Sequence, residues 1–122
     1  MIRFGEEPFL ECSSRGEKRL SAFYARIRWR NNRSIEELYQ SFKMFEGNVS
    51  GLSVKEAKGK TPINIELCRS FYRQLWDEYF RENSELLDLI KPYKGFSDIF
   101  GQAGRACQAE EIFRIWKGLD AC

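Results

Sequence analysis

Apolar positions along the chain fall mostly at helical spacing. Ile35, Leu38, Tyr39, Phe42 and Phe45 recur every three or four residues, the spacing that lines one face of a helix. Just ahead, Ser34 and Glu37 make a capping box, in which the serine and the glutamate three residues on satisfy the first free amides. The pattern predicts a helix that starts at Ile35 and runs toward Gly47. Beyond the Thr61-Pro62 turn, Asn64 is placed to cap a longer helix. Its apolar face, Ile65, Cys68, Phe71, Tyr72, Leu75, Trp76, Tyr79 and Phe80, is wide enough for a central core element. Ser84 is placed to cap a short helix through Leu86, Leu87, Leu89 and Ile90, which Pro92 stops. A final amphipathic helix runs from about Cys107 to Trp116, with Ile112, Phe113 and Ile115 inward. Ser53, Glu56 and Gly59 outline one more short helix.

Alternation marks the remaining elements. From Phe23 to Arg30, Arg26, Arg28 and Arg30 fall on one side and Ala25, Ile27 and Trp29 on the other, a period-two strand signal. Phe9 to Cys12 reads as a short strand, followed by a polar loop over Ser13–Arg19. Gly95, Gly101 and Gly104 mark a loop before the last helix. No repeat or low-complexity tract interrupts the sequence. The expected class is therefore α+β, mostly α-helical, as one compact domain over residues 1–122 with a small β element near the N-terminus.

Composition then removes whole classes of chemistry. The 122 residues include no histidine, so a Ser-His-Asp or Cys-His triad and a histidine-based zinc site are excluded. Acid–base work falls to carboxylate, lysine, tyrosine or cysteine side chains. The cysteines at 12, 68, 107 and 122 are far apart with no C-x-x-C pair, the pattern of buried free thiols. A net charge of +2 gives no bulk attraction for nucleic acid, so any phosphate recognition has to be local. No apolar run approaches the ~18 residues of a membrane span, and the acidic N-terminus from Met1 to Glu7 has no apolar signal region. The expectation is a cytoplasmic or nucleoplasmic protein without membrane attachment, and nothing in the sequence calls for a metal or organic cofactor.

Three groups of residues carry candidate chemistry. Glu36, Gln40 and Lys43 sit at i, i+4 and i+7, within about 40° of one another around a helix. They border the apolar stripe beside Tyr39, so they either open into a pocket or form a solvated edge. The alternating Arg26, Arg28 and Arg30 with Trp29 fit a phosphate-contacting stripe and equally a charged solvent face. Asp98 precedes Ile99-Phe100-Gly101-Gln102-Ala103-Gly104, an acid followed by glycines that let backbone approach a ligand.

Their order and spacing add a further reading. Leu20-Ser21-Ala22-Phe23-Tyr24, then Ser34-Ile35-Glu36-Glu37-Leu38-Tyr39-Gln40-Ser41-Phe42-Lys43, Ala57-Lys58-Gly59-Lys60, Trp76, Asn83-Ser84-Glu85-Leu86-Leu87 and Asp98-Ile99-Phe100-Gly101 together resemble the NADAR superfamily, which contains the YbiA-like N-glycosidases. The resemblance covers roughly residues 20 to 115, and its most specific part is Ser-x-Glu-x-x-Tyr-Gln-x-x-Lys. It implies a NADAR-like fold and hydrolysis of an N-glycosidic bond, in riboflavin-pathway intermediates or in ADP-ribosylated guanine. It also implies roles: Glu36 as catalytic glutamate, Lys43 as the helix lysine, Trp76 as active-site tryptophan and Asp98 as the late aspartate. Phe23, Tyr24, Tyr39, Gln40, Phe100 and Gly101 would contact substrate, and Arg15 and Arg19, with Lys18, are candidates for its phosphate. The sequence departs from the family at Ser21-Ala22-Phe23, where Ser-Asn-Phe is common, at Ile99-Phe100-Gly101, where an aromatic-Trp-Gly is usual, and at Ala106–Ala109.

The chemistry is coherent on physical grounds. Cleaving a ribosyl C–N bond builds oxocarbenium character at the anomeric carbon, which a nearby carboxylate stabilises while a second acid or base handles water and leaving group. Glu36 and Asp98 can divide these roles, and a lysine of lowered pKa can capture the opened sugar as an imine. The ligand is then a nucleotide-like small molecule or ADP-ribosylated nucleic acid. A noncatalytic module that sequesters such a nucleotide is the alternative, and an interaction domain with a merely solvated polar edge is the third reading.

Overall fold

The computed structural model describes residues 1–45, 62–102 and 105–119. The expected helix at Ser53–Gly59, the Ala57–Lys60 motif, Gly104 and Cys122 lie outside the described residues. The chain forms an α+β domain in which about half of the described residues are helical. Its strands are β1 (Ile2–Gly5), β2 (Phe9–Glu11), β3 (Arg26–Ile27), β4 (Arg33–Ser34) and β5 (Gly95–Asp98). The helices are α1 (Ile35–Phe42), α2 (Ile65–Glu82), α3 (Leu86–Ile90) and α4 (Gln108–Leu119). None of the described helices is long and apolar enough to cross a membrane.

The sheet is built around the segment that the sequence marks as a loop. β5 lies between β1, antiparallel, and β2, parallel, with Phe96 opposite both Phe4 and Leu10. All four residues of β5 are buried, and α4 covers β5 and β1. A four-residue strand beginning with glycine and carrying serine and aspartate has no alternation to announce it; its place between two partners, not its composition, makes it a strand. Phe96 and Ile112 join Leu20, Ile27, Ile35, Leu75 and Trp76 in one apolar core.

The expected strand over Phe23–Arg30 is present only at Arg26–Ile27. Arg28–Arg30 forms a 3₁₀ turn, followed by Asn31 and Asn32 at φ 61° and 55°. The cause lies on α2, where the Glu82 carboxylate accepts the backbone amides of Arg28 at 2.7 Å and Trp29 at 3.0 Å. These two amides are thereby withdrawn from any ladder, and Trp29 turns outward. Ala25 and Ile27 point into the core as the alternation requires.

Helix α1 begins where the capping box places it: Ser34 Oγ accepts the Glu37 amide at 3.1 Å. It ends at Phe42, before Gly47. Asn64, expected to cap α2 with its side chain, instead clamps the end of α1, donating to the Phe42 carbonyl at 3.1 Å and accepting the Met44 amide at 2.9 Å. It stands at the α2 N-cap position without a side-chain capping bond. α3 likewise starts from Glu85 with no side-chain cap, so Ser84 does not perform the expected role.

Candidate active site

Five segments converge on one cavity of about 500 Å³, a volume in the range of small-molecule sites. α1 contributes Glu36, Tyr39 and Gln40, and Lys43 follows at its C-cap. Ser21, Ala22 and Phe23 come from the turn that precedes β3, and Asp98 with Phe100 from the end of β5. Ile65, Arg69 and Tyr72 project from α2, while Arg105, Ala106 and Gln108 arrive ahead of α4 and at its first residue. The i, i+4, i+7 edge of α1 thus lines a cavity, with Gln40 and Lys43 buried.

A continuous line of hydrogen bonds ties these segments together. Asp98 Oδ2 accepts Gln108 Nε2 at 3.0 Å, and Gln108 Oε1 accepts the Ala22 amide at 2.7 Å. The Ala22 carbonyl in turn accepts the amide of Glu36 at 3.0 Å. Asp98 Oδ1 takes the Phe100 amide at 2.9 Å, which closes the turn after β5. Gly101 belongs to the same turn, its amide reaching the Asp98 carbonyl at 3.0 Å. A side chain at Gly101 would collide with Ile2, so the position has to be bare.

On the facing wall, Glu36 Oε1 accepts Gln40 Nε2 at 2.9 Å. The other half of that amide is unusual. Gln40 is almost wholly buried, and its Oε1 has no hydrogen-bond partner among the described residues. A buried acceptor left unpaired costs free energy, on the order of 1–3 kcal/mol, and a ligand hydroxyl or amine supplies what it lacks. Lys43 is also buried, its ammonium 5.4 Å from the centre of the Tyr39 ring. Burial pushes its pKa below the ordinary lysine value, with Arg105 adding to the shift while Glu36 and Cys68 oppose it. Burial likewise pushes the Tyr39 phenol up, helped by Cys68 and Glu36 and countered by Arg69 and Arg105.

The rim is aromatic. Phe23 and Phe100 both line the cavity and both are more than half exposed, at 58% each, so something other than burial of the ring fixes the turn. For Phe100 that something is Glu11, whose carboxylate accepts the Ile99 amide at 3.0 Å, Ser97 Oγ at 2.8 Å and the Ser13 amide at 3.2 Å. Burial raises the Glu11 pKa, but these bonds outweigh it and leave the carboxyl below its ordinary value. Arg15 lies over the Phe100 ring at 5.5 Å.

Other expected site residues stand apart from the cavity. Trp76 is fully buried in the core, edge-on to Tyr72 and Tyr79. Tyr24 packs on Phe23 beside the Lys18 ammonium, outside the lining. Arg19 is held by Glu17 through bonds of 2.7 and 3.0 Å. Arg28 and Arg30 are paired with Glu82 and Glu78, so two of the three arginines of the alternating stripe serve the fold. Cys12, Cys68 and Cys107 are buried free thiols, and among the described residues no three Cys, Asp or Glu side chains gather as a metal-binding group.

Sequence reasoning missed Ser14, Tyr72 as a lining group, Arg69, Arg105 and Gln108. One signal was available: Ile65, Arg69 and Tyr72 repeat on α2 the i, i+4, i+7 spacing that singles out Glu36, Gln40 and Lys43 on α1. Comparison of the sequence with protein-family models and with curated proteins finds no match.

Proposed function

We propose that the protein is an N-glycosidase that hydrolyses the N-glycosidic bond of a ribosylated, nucleotide-like substrate. Candidate substrates are ADP-ribosyl-guanine, free or in nucleic acid, an NAD-derived nucleotide, or a riboflavin-pathway intermediate. One observation carries the reading. Glu36 and Lys43 from one helix edge and Asp98, more than 50 residues further on, lie on the wall of a single cavity that also holds a buried acceptor unpartnered among the described residues and two exposed aromatic rings. The NADAR resemblance supports the same assignment, as do the three buried free thiols for a reducing, cytoplasmic setting.

In this reading the base stacks at Phe23 and Phe100, and a ribose hydroxyl donates to Gln40 Oε1. The C1′–N bond breaks with its electron pair going to the base, while the Glu36 carboxylate stabilises the positive charge that develops at C1′. Water then adds its hydroxyl to C1′, and its proton leaves with the base. Gln40 positions Glu36 through the amide that it donates. Lys43, with its lowered pKa, supplies the amine that condenses with the C1′ aldehyde of the opened sugar, releasing water and forming an imine that water later reverses.

Asp98 favours a second reading at its own position. Both carboxylate oxygens already accept hydrogen bonds, from Phe100 and Gln108, so it acts as the latch between β5 and α4 rather than as a base. If Glu36 also performs no chemistry, the cavity is a nucleotide-sequestering module. The deciding experiment incubates wild type and Glu36→Gln with ADP-ribosylated guanine DNA, ADP-ribose derivatives and pyrimidine riboside phosphates, and follows base and sugar release by mass spectrometry. Release by wild type alone is expected. Full activity in the variant overturns the role of Glu36, and ligand recovered intact from both proteins establishes the sequestering module.

A further inference from the structure

Next to the main cavity lies a smaller one of about 240 Å³, and the two share a wall made by Arg69, Tyr72, Arg105 and Ala106. We propose that Arg69 and Arg105 are the anion subsite of the ligand: they clamp its phosphoryl oxygens where the two cavities meet, so that a mono- or diphosphate leads from the ribose toward the smaller cavity. This deepens the reading of the main cavity as a ribosyl site and rests on it for the direction of the ligand.

Charge and placement both point there. The main cavity is lined by two carboxylates, Glu36 and Asp98, against three cations, Lys43, Arg69 and Arg105. Asp98 is closed by Gln108 and Phe100, and Arg69 and Arg105 are exposed residues that line both cavities. Arg105 forms no salt bridge among the described residues, unlike Arg19, Arg28, Arg30, Arg73 and Arg114. In the smaller cavity, the charge of Glu111 is met by Arg73 at 3.3 Å and Arg114 at 2.9 Å, which leaves Glu110 as the opposing acid. The two arginines also act together on one point: both stabilise the ionised form of Tyr39, on the α1 wall between Glu36 and Lys43. Guanidinium forks present paired N–H donors that match phosphoryl oxygens. The Arg15, Lys18 and Arg19 loop is the competing anchor, but Arg15 is stacked on Phe100 and Arg19 is spent on Glu17.

The test uses Glu36→Gln protein to block turnover, with Arg69→Ala and Arg105→Ala added singly and together, and calorimetric titration with ribose 5-phosphate, ADP-ribose, adenosine and inorganic pyrophosphate. Each substitution is expected to raise Kd for the three phosphorylated probes by about tenfold, to flatten the salt dependence of binding, and to leave adenosine unchanged. A greater loss for ADP-ribose than for ribose 5-phosphate assigns the subsite to a diphosphate, and an equal loss assigns it to a single phosphate. Unchanged phosphate affinity in the double variant overturns the proposal, as does an equal loss for adenosine or a loss that appears only with Arg15→Ala and Lys18→Ala. Pyrophosphate separates the two claims, because it has neither sugar nor base. Its arginine-dependent binding beside a protein that cleaves no riboside retains the subsite and removes the glycosidase.

Discussion

Two glutamates, one turn from the end of α2 and one at the start of α1, show how differently the same side chain can be used. Glu78 is buried under four hydrogen bonds from Trp29, Arg30 and Gln74, between 2.6 and 3.0 Å. Every lone pair has a donor, and the arrangement is closed. Among the described residues Glu36 receives one side-chain bond, from an amide whose own oxygen is unpartnered, and it faces a cavity. A saturated carboxylate has its binding capacity committed to the fold; an unsaturated one retains capacity for something else. The difference separates an acid committed to the fold from one with capacity left over, where residue type does not.

Removing the charge of each acid in turn is the strongest way to break the comparison. Glu36→Gln is expected to lower turnover by about 10³-fold, within the span of general acid–base and electrostatic contributions, with the melting temperature essentially unchanged. Single-turnover kinetics beside thermal denaturation checks both halves. Glu78→Ala is expected to do the reverse, leaving Arg30 half-buried without its partner. The cost is about 3 kcal/mol, the lower end for breaking a buried pair because Arg30 keeps some contact with water, or about 10 °C in melting temperature for a chain of this size. Equal stability losses at the two positions would erase the distinction.

A gentler test follows from titration. The bond from Arg30 lowers the Glu78 pKa most, burial opposes it, and Gln74 and Trp29 add to the lowering. A carboxyl whose folded pKa is depressed binds fewer protons than in the unfolded chain, so its stabilisation is present in full above its ordinary value of 4.5 and is lost as pH falls through the lowered one. Urea unfolding of wild type and Glu78→Gln is expected to converge as the pH drops below about 4.5.

The same contrast explains what the sequence could convey. Elements with local causes were legible: the Ser34 capping box, the apolar face of α2, the amphipathic last helix, and the edge carrying Glu36, Gln40 and Lys43. Elements with distant causes were not. The turn at Arg28–Arg30 exists because Glu82, more than 50 residues away, takes its amides, and β5 is a strand because β1 and β2 flank it. Arg26, Arg28 and Arg30 fit a ligand-facing stripe and a solvent face equally, because alternation reports a face but not the acids that meet Arg28 and Arg30. Arg69 and Arg105 were overlooked for the converse reason: scattered single arginines have no pattern, and only folding brings them to one wall.

The smallest expected effect concerns Lys43, and its sign is the informative part. Its pKa is lowered first by burial and then by Arg105, and is raised by Glu36 and Cys68. The unfolded chain therefore holds the proton more tightly. Burial costs stability at neutral pH, and this cost is relieved as pH climbs from the lowered folded value to the ordinary 10.5. Imine formation needs the neutral amine, so borohydride trapping of ribose 5-phosphate on Lys43 is expected to rise with pH along a curve whose midpoint lies below that of an exposed lysine. Removing the opposing charge in Glu36→Gln moves the midpoint lower still, and Arg105→Ala moves it higher. The two shifts in opposite directions, read from trapped adduct by mass spectrometry, distinguish an amine held between Glu36 and Arg105 inside the cavity from one that merely packs on Tyr39. A midpoint indifferent to both substitutions would place Lys43 with Glu78, among the groups that the fold has used up.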